Sequence, residues 1–163
     1  MVSILVSMSL FALTIEYLRN KNRYFSNLFN ALFDFMLRET ESNGKLTGAT
    51  WLLIGYSITV ILFEMPIAVS TLLFLSIGDS FAALAGKLYP KGRIGNKTLS
   101  GTLVGFILSL ALVLMINQSL LPMVVLIGAI AAMGIELIPT KINDNLTIPI
   151  FSGSIMVLVD MAI

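Results

Sequence analysis

The sequence predicts an all-α, polytopic integral membrane protein of about six transmembrane helices with one amphipathic interfacial helix, folded as a single domain over residues 1–163. Three observations predict it. Hydrophobic residues make up 57% of the chain and charged residues only 12%, with a mean hydropathy of +0.95, far to the apolar side for a chain of this length. The apolar residues gather into runs approaching the roughly 20 residues that cross a bilayer. The ten Lys and Arg residues fall in alternate connections between those runs, as they do when one set of loops faces the cytoplasm.

The runs lie near 1–18, 48–63, 66–86, 99–116, 119–138 and 147–163. The first has no basic residues ahead of it and carries Glu16, Arg19, Lys21 and Arg23 at or after its end, so a retained span is expected, not a cleaved signal peptide. The polar interval from 19 to 47 is too short for a soluble domain. Within it Phe25, Leu28, Phe29, Leu32, Phe33 and Met36 recur at helical spacing, while Asn27, Asn30, Asp34 and Arg38 fall elsewhere. This predicts an amphipathic helix over about 24–39, lying at the interface or against the bundle.

Arg19, Lys21, Arg23, Arg38 and Lys45 lie in the first connection, Lys87, Lys91, Arg93 and Lys97 in the third, and Lys141 in the fifth, which accounts for all ten. The second connection, at Glu64-Met65-Pro66, and the fourth, at Asn117-Gln118, have none. The odd connections are therefore expected in the cytoplasm, with the protein in the cell membrane and its polar face on the cytoplasmic side.

Cysteine and histidine are both absent. That excludes disulfides, Cys/His metal sites, Ser-His-Asp triads and thiol nucleophiles. Chemistry is left to carboxylates, amines, guanidinium groups, hydroxyls and backbone amides. A net charge of +1 says little about partners, and no nucleic-acid partner is expected. Asp79 lies inside an apolar run about two turns before Lys87, where a carboxylate is costly and by default functional. Glu136 sits near the end of the fifth run, and Asp144 follows in the short segment after it. All three are expected to converge at one membrane face, opposite the basic loop at about 87–98. Carboxylates beside a basic, glycine-containing loop suggest a metal-bound polyphosphate. Gly92 and Gly95 free the backbone to turn N–H groups toward an anion, Thr98 can cap a helix from Leu99, and Lys97 adds charge there. The same loop also suits simple anchoring on anionic head groups. Gly78, Ala82 and Gly86, with Gly101 and Gly105, form small-residue stripes that let helices approach closely. Asn143 and Asn145 suit either turn chemistry or recognition of a base or sugar.

Gly78-Asp79-Ser80-Phe81-Ala82-Ala83-Leu84-Ala85-Gly86-Lys87, then Gly95, then Lys97-Thr98-Leu99-Ser100-Gly101-Thr102, resembles the signature of the CTP-dependent lipid kinases: dolichol kinase, phytol and other polyprenol kinases, and the CTP-using diacylglycerol kinase. The block is partly similar to phosphatidate cytidylyltransferases. The resemblance extends to Leu37-Arg38-Glu39 with Glu41, to Leu46-Thr47-Gly48-Ala49, and to Glu136-Leu137-Ile138-Pro139 with Asp144-Asn145. The family commonly has Arg where Lys87 stands and Glu where Ser100 stands, and its basic, histidine-containing segment is not matched in a sequence without histidine.

The resemblance implies transfer of the γ-phosphate of CTP to the hydroxyl of a membrane lipid, a polyprenol-type alcohol or a diacylglycerol, at the cytoplasmic face with Mg²⁺. Asp79 would be the first metal ligand, with Asp144 or Glu136 as second ligand or as base. Lys87, Arg93, Gly95, Lys97, Thr98 and Asn145 would bind the nucleotide and its phosphates. The alternatives are a CTP-dependent phosphatidate cytidylyltransferase and, from another class, a small ion or proton transporter with Asp79, Glu136 and Glu16 along its path.

Overall fold

The computed structural model describes residues 2–33, 37, 41, 45–140 and 142–163. Among the described residues the regular structure is helical except for one short hairpin: α1 (Val2–Lys21), α2 (Arg23–Phe33), α3 (Gly48–Leu62), α4 (Met65–Leu73), a π-helical turn (Phe74–Asp79) that runs on into α5 (Ser80–Leu88), β1 (Arg93–Ile94), β2 (Lys97–Thr98), α6 (Leu99–Ile116), α7 (Pro122–Leu137) and α8 (Asp144–Ala162). Contacts group the chain into two compact units, residues 1–57 and 58–163.

Among the described residues, four helical stretches are long and apolar enough to cross a membrane: α1, the continuous Met65–Leu88, α6 and α8. The six expected runs all form helices, but α3 and α7 have only 15 and 16 residues. At 1.5 Å per residue these reach about 22–24 Å, short of a hydrocarbon core of roughly 30 Å. Apolar composition identified the helices; it did not fix their length, because α7 starts only at Pro122, which suits a first helical turn, and α3 stops before Glu64. The membrane-compatible count is therefore four, not six.

In the first unit the sequence's basic residues divide between two roles. Arg19, in the first connection by sequence, closes α1 and is only 4% exposed, its Nη2 lying 2.8 Å from Glu16 Oε2. Nη2 also donates to Lys45 O at 2.6 Å. Glu16 Oε1 accepts from Thr47 N at 2.8 Å and from the Thr50 hydroxyl at 3.1 Å, and the Ser9 and Ser57 hydroxyls pair at 2.8 Å. A buried pair fixed by this many backbone groups ties the end of α1 to the start of α3. The amphipathic helix is α2; residues 34–36 and 38–39 of its expected extent lie outside the described residues. Leu28 and Leu32 on its apolar stripe remain exposed, as they would on a helix laid against lipid.

The second unit packs the Met65–Leu88 stretch, α6, α7 and α8 around Phe74, Val113, Val124, Val125, Ala129, Ile148 and Met156, all fully buried. The glycine stripe does what its spacing predicts. A Cβ at Gly101 would strike Ala82 O, and one at Gly105 would strike Gly78 O. The two backbones touch there, which no other residue type allows. At the far end of α6, Asn117 Nδ2 donates to Pro66 O at 2.6 Å and to the Ser70 hydroxyl at 2.9 Å.

The hairpin departs from an all-α expectation. Arg93 pairs with Thr98 and Ile94 with Lys97 across Gly95-Asn96. Gly95 has φ 59° while Asn96 is not in the positive-φ region, the pattern of a type II′ turn, which takes Gly at its first central position.

Overpacking tests the helix contact. Gly105→Val is expected to destabilise the purified protein by about 1–3 kcal/mol, read as a lowered thermal midpoint in detergent. Gly134→Ala, where an added methyl meets nothing within 4 Å, should leave the midpoint unchanged or slightly raised.

Candidate functional site

Close approach of α5 and α6 brings Asp79, at the end of the π-helical turn, beside the segment that leads into α6. A π-helical turn inserts a residue into the helical register, and here it ends on the one carboxylate of that helix. Ser100 anchors the loop ahead of α6. Its hydroxyl donates to Tyr89 O and accepts from Lys91 N at 3.2 Å, while Leu99 N donates to Gly92 O at 2.9 Å. Gly92, at φ 66°, takes a left-handed conformation that L-residues with a Cβ seldom adopt. Thr98 caps α6, its hydroxyl accepting from Gly101 N at 3.1 Å.

The tethered hairpin delivers Lys97 into the middle of the three acids. Its Nζ lies 2.7 Å from Glu136 Oε1, 3.0 Å from Asp144 Oδ2 and 3.2 Å from Asp79 Oδ1. The expected convergence is thus present, with no two of those oxygens farther apart than their two bonds laid end to end. The acids are not equivalent. Glu136, in the last turn of α7, is only 2% exposed at its side chain, against 33% for Asp79 and 32% for Asp144. A carboxylate at a helix C-terminus is disfavoured by the helix dipole, whereas Asp144 in the first turn of α8 is favoured by it. Glu136 is compensated by Lys97 and by Thr102, whose hydroxyl donates to Glu136 Oε2 at 2.9 Å with Thr98 O, 3.1 Å away, as its other acceptor.

Lys97 itself is perturbed. Burial alone would lower the ammonium's pKa, but the hydrogen bond to Glu136, the charge of Asp79 and the hydrogen bond to Asp144 outweigh burial and hold it above the ordinary lysine value. A raised pKa contributes stability that is complete below the ordinary value and lost only as pH rises past it. The ammonium is therefore charged throughout the neutral range.

The remaining expected residues occupy the rim. Lys87, in the last turn of α5, and Arg93, on β1, are exposed, and neither makes an ion pair among the described residues. Gly95 forms the hairpin tip. Thr98 is buried and its hydroxyl is taken up by the cap. Asn143 is the N-cap of α8, its side chain accepting from Asn145 N at 3.0 Å, so turn chemistry accounts for it. Asn145 lies in the first turn of that helix. A cavity of about 280 Å³ opens beside the cluster, lined by Asn96, Lys97, Glu136, Pro139, Thr140 and Asp144 among others.

Sequence reasoning named the three acids and Lys97 but paired Lys97 with phosphates instead of with the acids. It also missed Thr102, although Thr102 closes the quoted Lys97–Thr102 block and falls one turn after Thr98. As they stand around Lys97, no three acidic groups among the described residues are grouped to hold a metal ion by themselves. The donor set is all hard oxygen, however, and Mg²⁺ is ordinarily held by one or two carboxylates together with substrate phosphates. Asp79 with Asp144 or Glu136 fits that requirement.

Thr102→Val should leave the buried Glu136 carboxylate short of a donor and cost about 1.5–3 kcal/mol, while Thr102→Ser should keep most of the stability; thermal unfolding of both variants in detergent makes the comparison. Among known proteins, the chain is similar to an uncharacterized protein of Rickettsia prowazekii (strain Madrid E), 26% identical over 162 residues that cover 90% of this chain and 78% of that protein. No protein-family profile matches the chain, and no solved structure matches it.

Proposed function

We propose that the chain is a CTP-dependent lipid kinase that transfers the γ-phosphate of CTP to the hydroxyl of a membrane lipid alcohol at the cytoplasmic face of the cell membrane. The observation that carries this reading is the gathering of Asp79, Glu136 and Asp144 around Lys97 at one end of an otherwise apolar helix cluster, beside a cavity and a basic hairpin. The resemblance of Gly78–Thr102 to the CTP-dependent lipid kinases supplies the nucleotide and the acceptor class.

Phosphoryl transfer asks for positioning and charge neutralisation more than covalent chemistry. Asp79, with Asp144 or Glu136, would hold Mg²⁺, which when bound neutralises phosphate charge. Arg93 and Lys87, unpaired on the rim, would meet the outer phosphates, with Lys97 and the loop amides near Gly95 beside them. Thr98 would act by holding the start of α6 in place. The lipid hydroxyl gives its proton to whichever of Asp144 and Glu136 is not a ligand, its oxygen bonds to the γ-phosphorus, and the bond from that phosphorus to the β-phosphate oxygen breaks, releasing CDP. The acceptor would enter sideways from the bilayer.

Incubating the purified protein in detergent with labelled CTP or ATP, Mg²⁺ and a panel of lipid alcohols tests the proposal; a phosphorylated lipid with CDP is expected. A CDP-linked lipid with pyrophosphate would instead identify a phosphatidate cytidylyltransferase. Asp79-dependent ion flux in liposomes without nucleotide turnover would identify a transporter. Asp79→Asn should lower lipid phosphorylation at least about a thousandfold, a loss of roughly 4 kcal/mol in transition-state stabilisation, with thermal stability kept. Lys91→Ala, exposed and outside the cluster, should change turnover by less than about threefold. An Asn variant retaining over about a tenth of the rate would remove Asp79 from the metal-ligand role.

A further inference from the structure

Lys97 stands where a cation shared by Asp79, Glu136 and Asp144 would stand. Three carboxylate oxygens at 2.7, 3.0 and 3.2 Å can engage all three ammonium hydrogens. A lysine so placed has no hydrogen left for a phosphate, and a metal ion cannot share its position. The two occupants must alternate. The structure leaves room for alternation: Lys97 lies on a two-residue strand, its side chain is 31% exposed, and it lines the 280 Å³ cavity together with Glu136 and Asp144.

We propose that Lys97 is the resident counter-ion of this acidic cluster, competing with a divalent cation for Asp79, Glu136 and Asp144 and moving onto a nucleotide phosphate when cation and nucleotide arrive together. With Lys97 in place the carboxylates are neutralised and a divalent ion alone gains little. A nucleotide gives the displaced ammonium a new anion, so metal and nucleotide assist each other's binding, and that coupling is reciprocal. Lys97 thus makes the metal site conditional on the substrate. The inference rests on the metal-dependent reading of the site, but not on whether the γ- or the α-phosphate is attacked.

The test uses Mn²⁺ as a paramagnetic stand-in for Mg²⁺ and reads free Mn²⁺ by electron paramagnetic resonance, with purified full-length protein in detergent and no nucleotide or lipid. Lys97→Gln is expected to bind Mn²⁺ at least about tenfold more tightly than wild type, and Lys97→Arg, which keeps the charge, to stay near wild type. Equal or weaker binding by the Gln variant would overturn the proposal. A second measurement needs no variant: acetylation of wild-type Lys97, followed by mass spectrometry relative to Lys91, should rise when Mn²⁺ alone is added to saturation, as the ammonium leaves the carboxylates. Unchanged relative labelling would equally overturn it. Neither readout involves lipid phosphorylation, so failure of the kinase reading in its own assay and failure here are separate results.

Discussion

Two backbone contacts without room for a methyl group set the geometry of the second unit. Gly101 rests on Ala82 O and Gly105 on Gly78 O, which draws the start of α6 against the turn that ends in Asp79. With that contact in place the segment before α6 has to emerge next to Asp79, and the hairpin it forms carries Lys97 inward. The Thr102 hydroxyl on Glu136 follows from the same placement of α6, while Asp144 arrives on α8, which packs against α7. In lipid, where apolar side chains gain little by meeting each other, close backbone contact and interhelical hydrogen bonds supply much of the specificity of packing. The unit has both at one place.

The acids are held against different odds. Asp144 sits where its helix favours a negative charge, and Asp79 is partly exposed, so neither requires much of its surroundings. Glu136 is almost fully buried at the unfavourable end of α7, and removing one partner of such a carboxylate leaves a desolvated charge without compensation. Lys97 is therefore required by Glu136 before it is required by anything that binds. The Glu16–Arg19 pair of the first unit makes a useful contrast. It is closed off on both sides, 3% and 4% exposed, and Glu16 Oε1 is occupied by Thr47 and Thr50, so it serves as a tether. The Lys97 cluster has a comparably buried member but two open ones and a cavity beside it, which is what separates a site from a brace.

What could be read in the sequence follows from which signals are local. The Thr98 cap, the α2 stripe and the close packing of the two glycine-bearing helices each depend on spacing within a few turns, and each is present. The convergence of Asp79, Glu136 and Asp144 was legible because each lies toward the end of an apolar run that meets a connection carrying basic residues, which puts all three at one face. The hairpin carried a local signal as well, Gly95-Asn96 between Arg93-Ile94 and Lys97-Thr98, but it was overshadowed by the reading of that stretch as a phosphate loop. A basic residue just past an apolar run reads as a loop residue, whereas Arg19 is buried by contacts farther along the chain, with Lys45 O and the Phe29 ring, beside its pair with Glu16. The π-helical turn before Asp79 and the short reach of α3 and α7 depend on tertiary packing, and periodicity holds no trace of either.

The distribution of polar groups along the second unit bears on mechanism. A conduction path requires polar side chains at several depths, each able to hand an ion to the next. Here most of the charged groups gather at the hairpin end, with Glu64 and Asp160 at the opposite ends of their helices, while at the other end of α6 Asn117 is occupied in binding Pro66 O and Ser70. Between them the fully buried residues include the apolar Phe74, Val113, Val124, Val125, Ala129, Ile148 and Met156 and the hydroxyl-bearing Ser70, Thr71, Ser109 and Ser152, whose hydroxyls turn back onto their own helices. Each of these hydroxyls already has a carbonyl partner on its own helix. The interior gives an apolar support to one charged constellation at its rim, and that is the placement the proposed reaction would need, since it joins a water-borne anion to a bilayer-borne alcohol and both must reach the same groups.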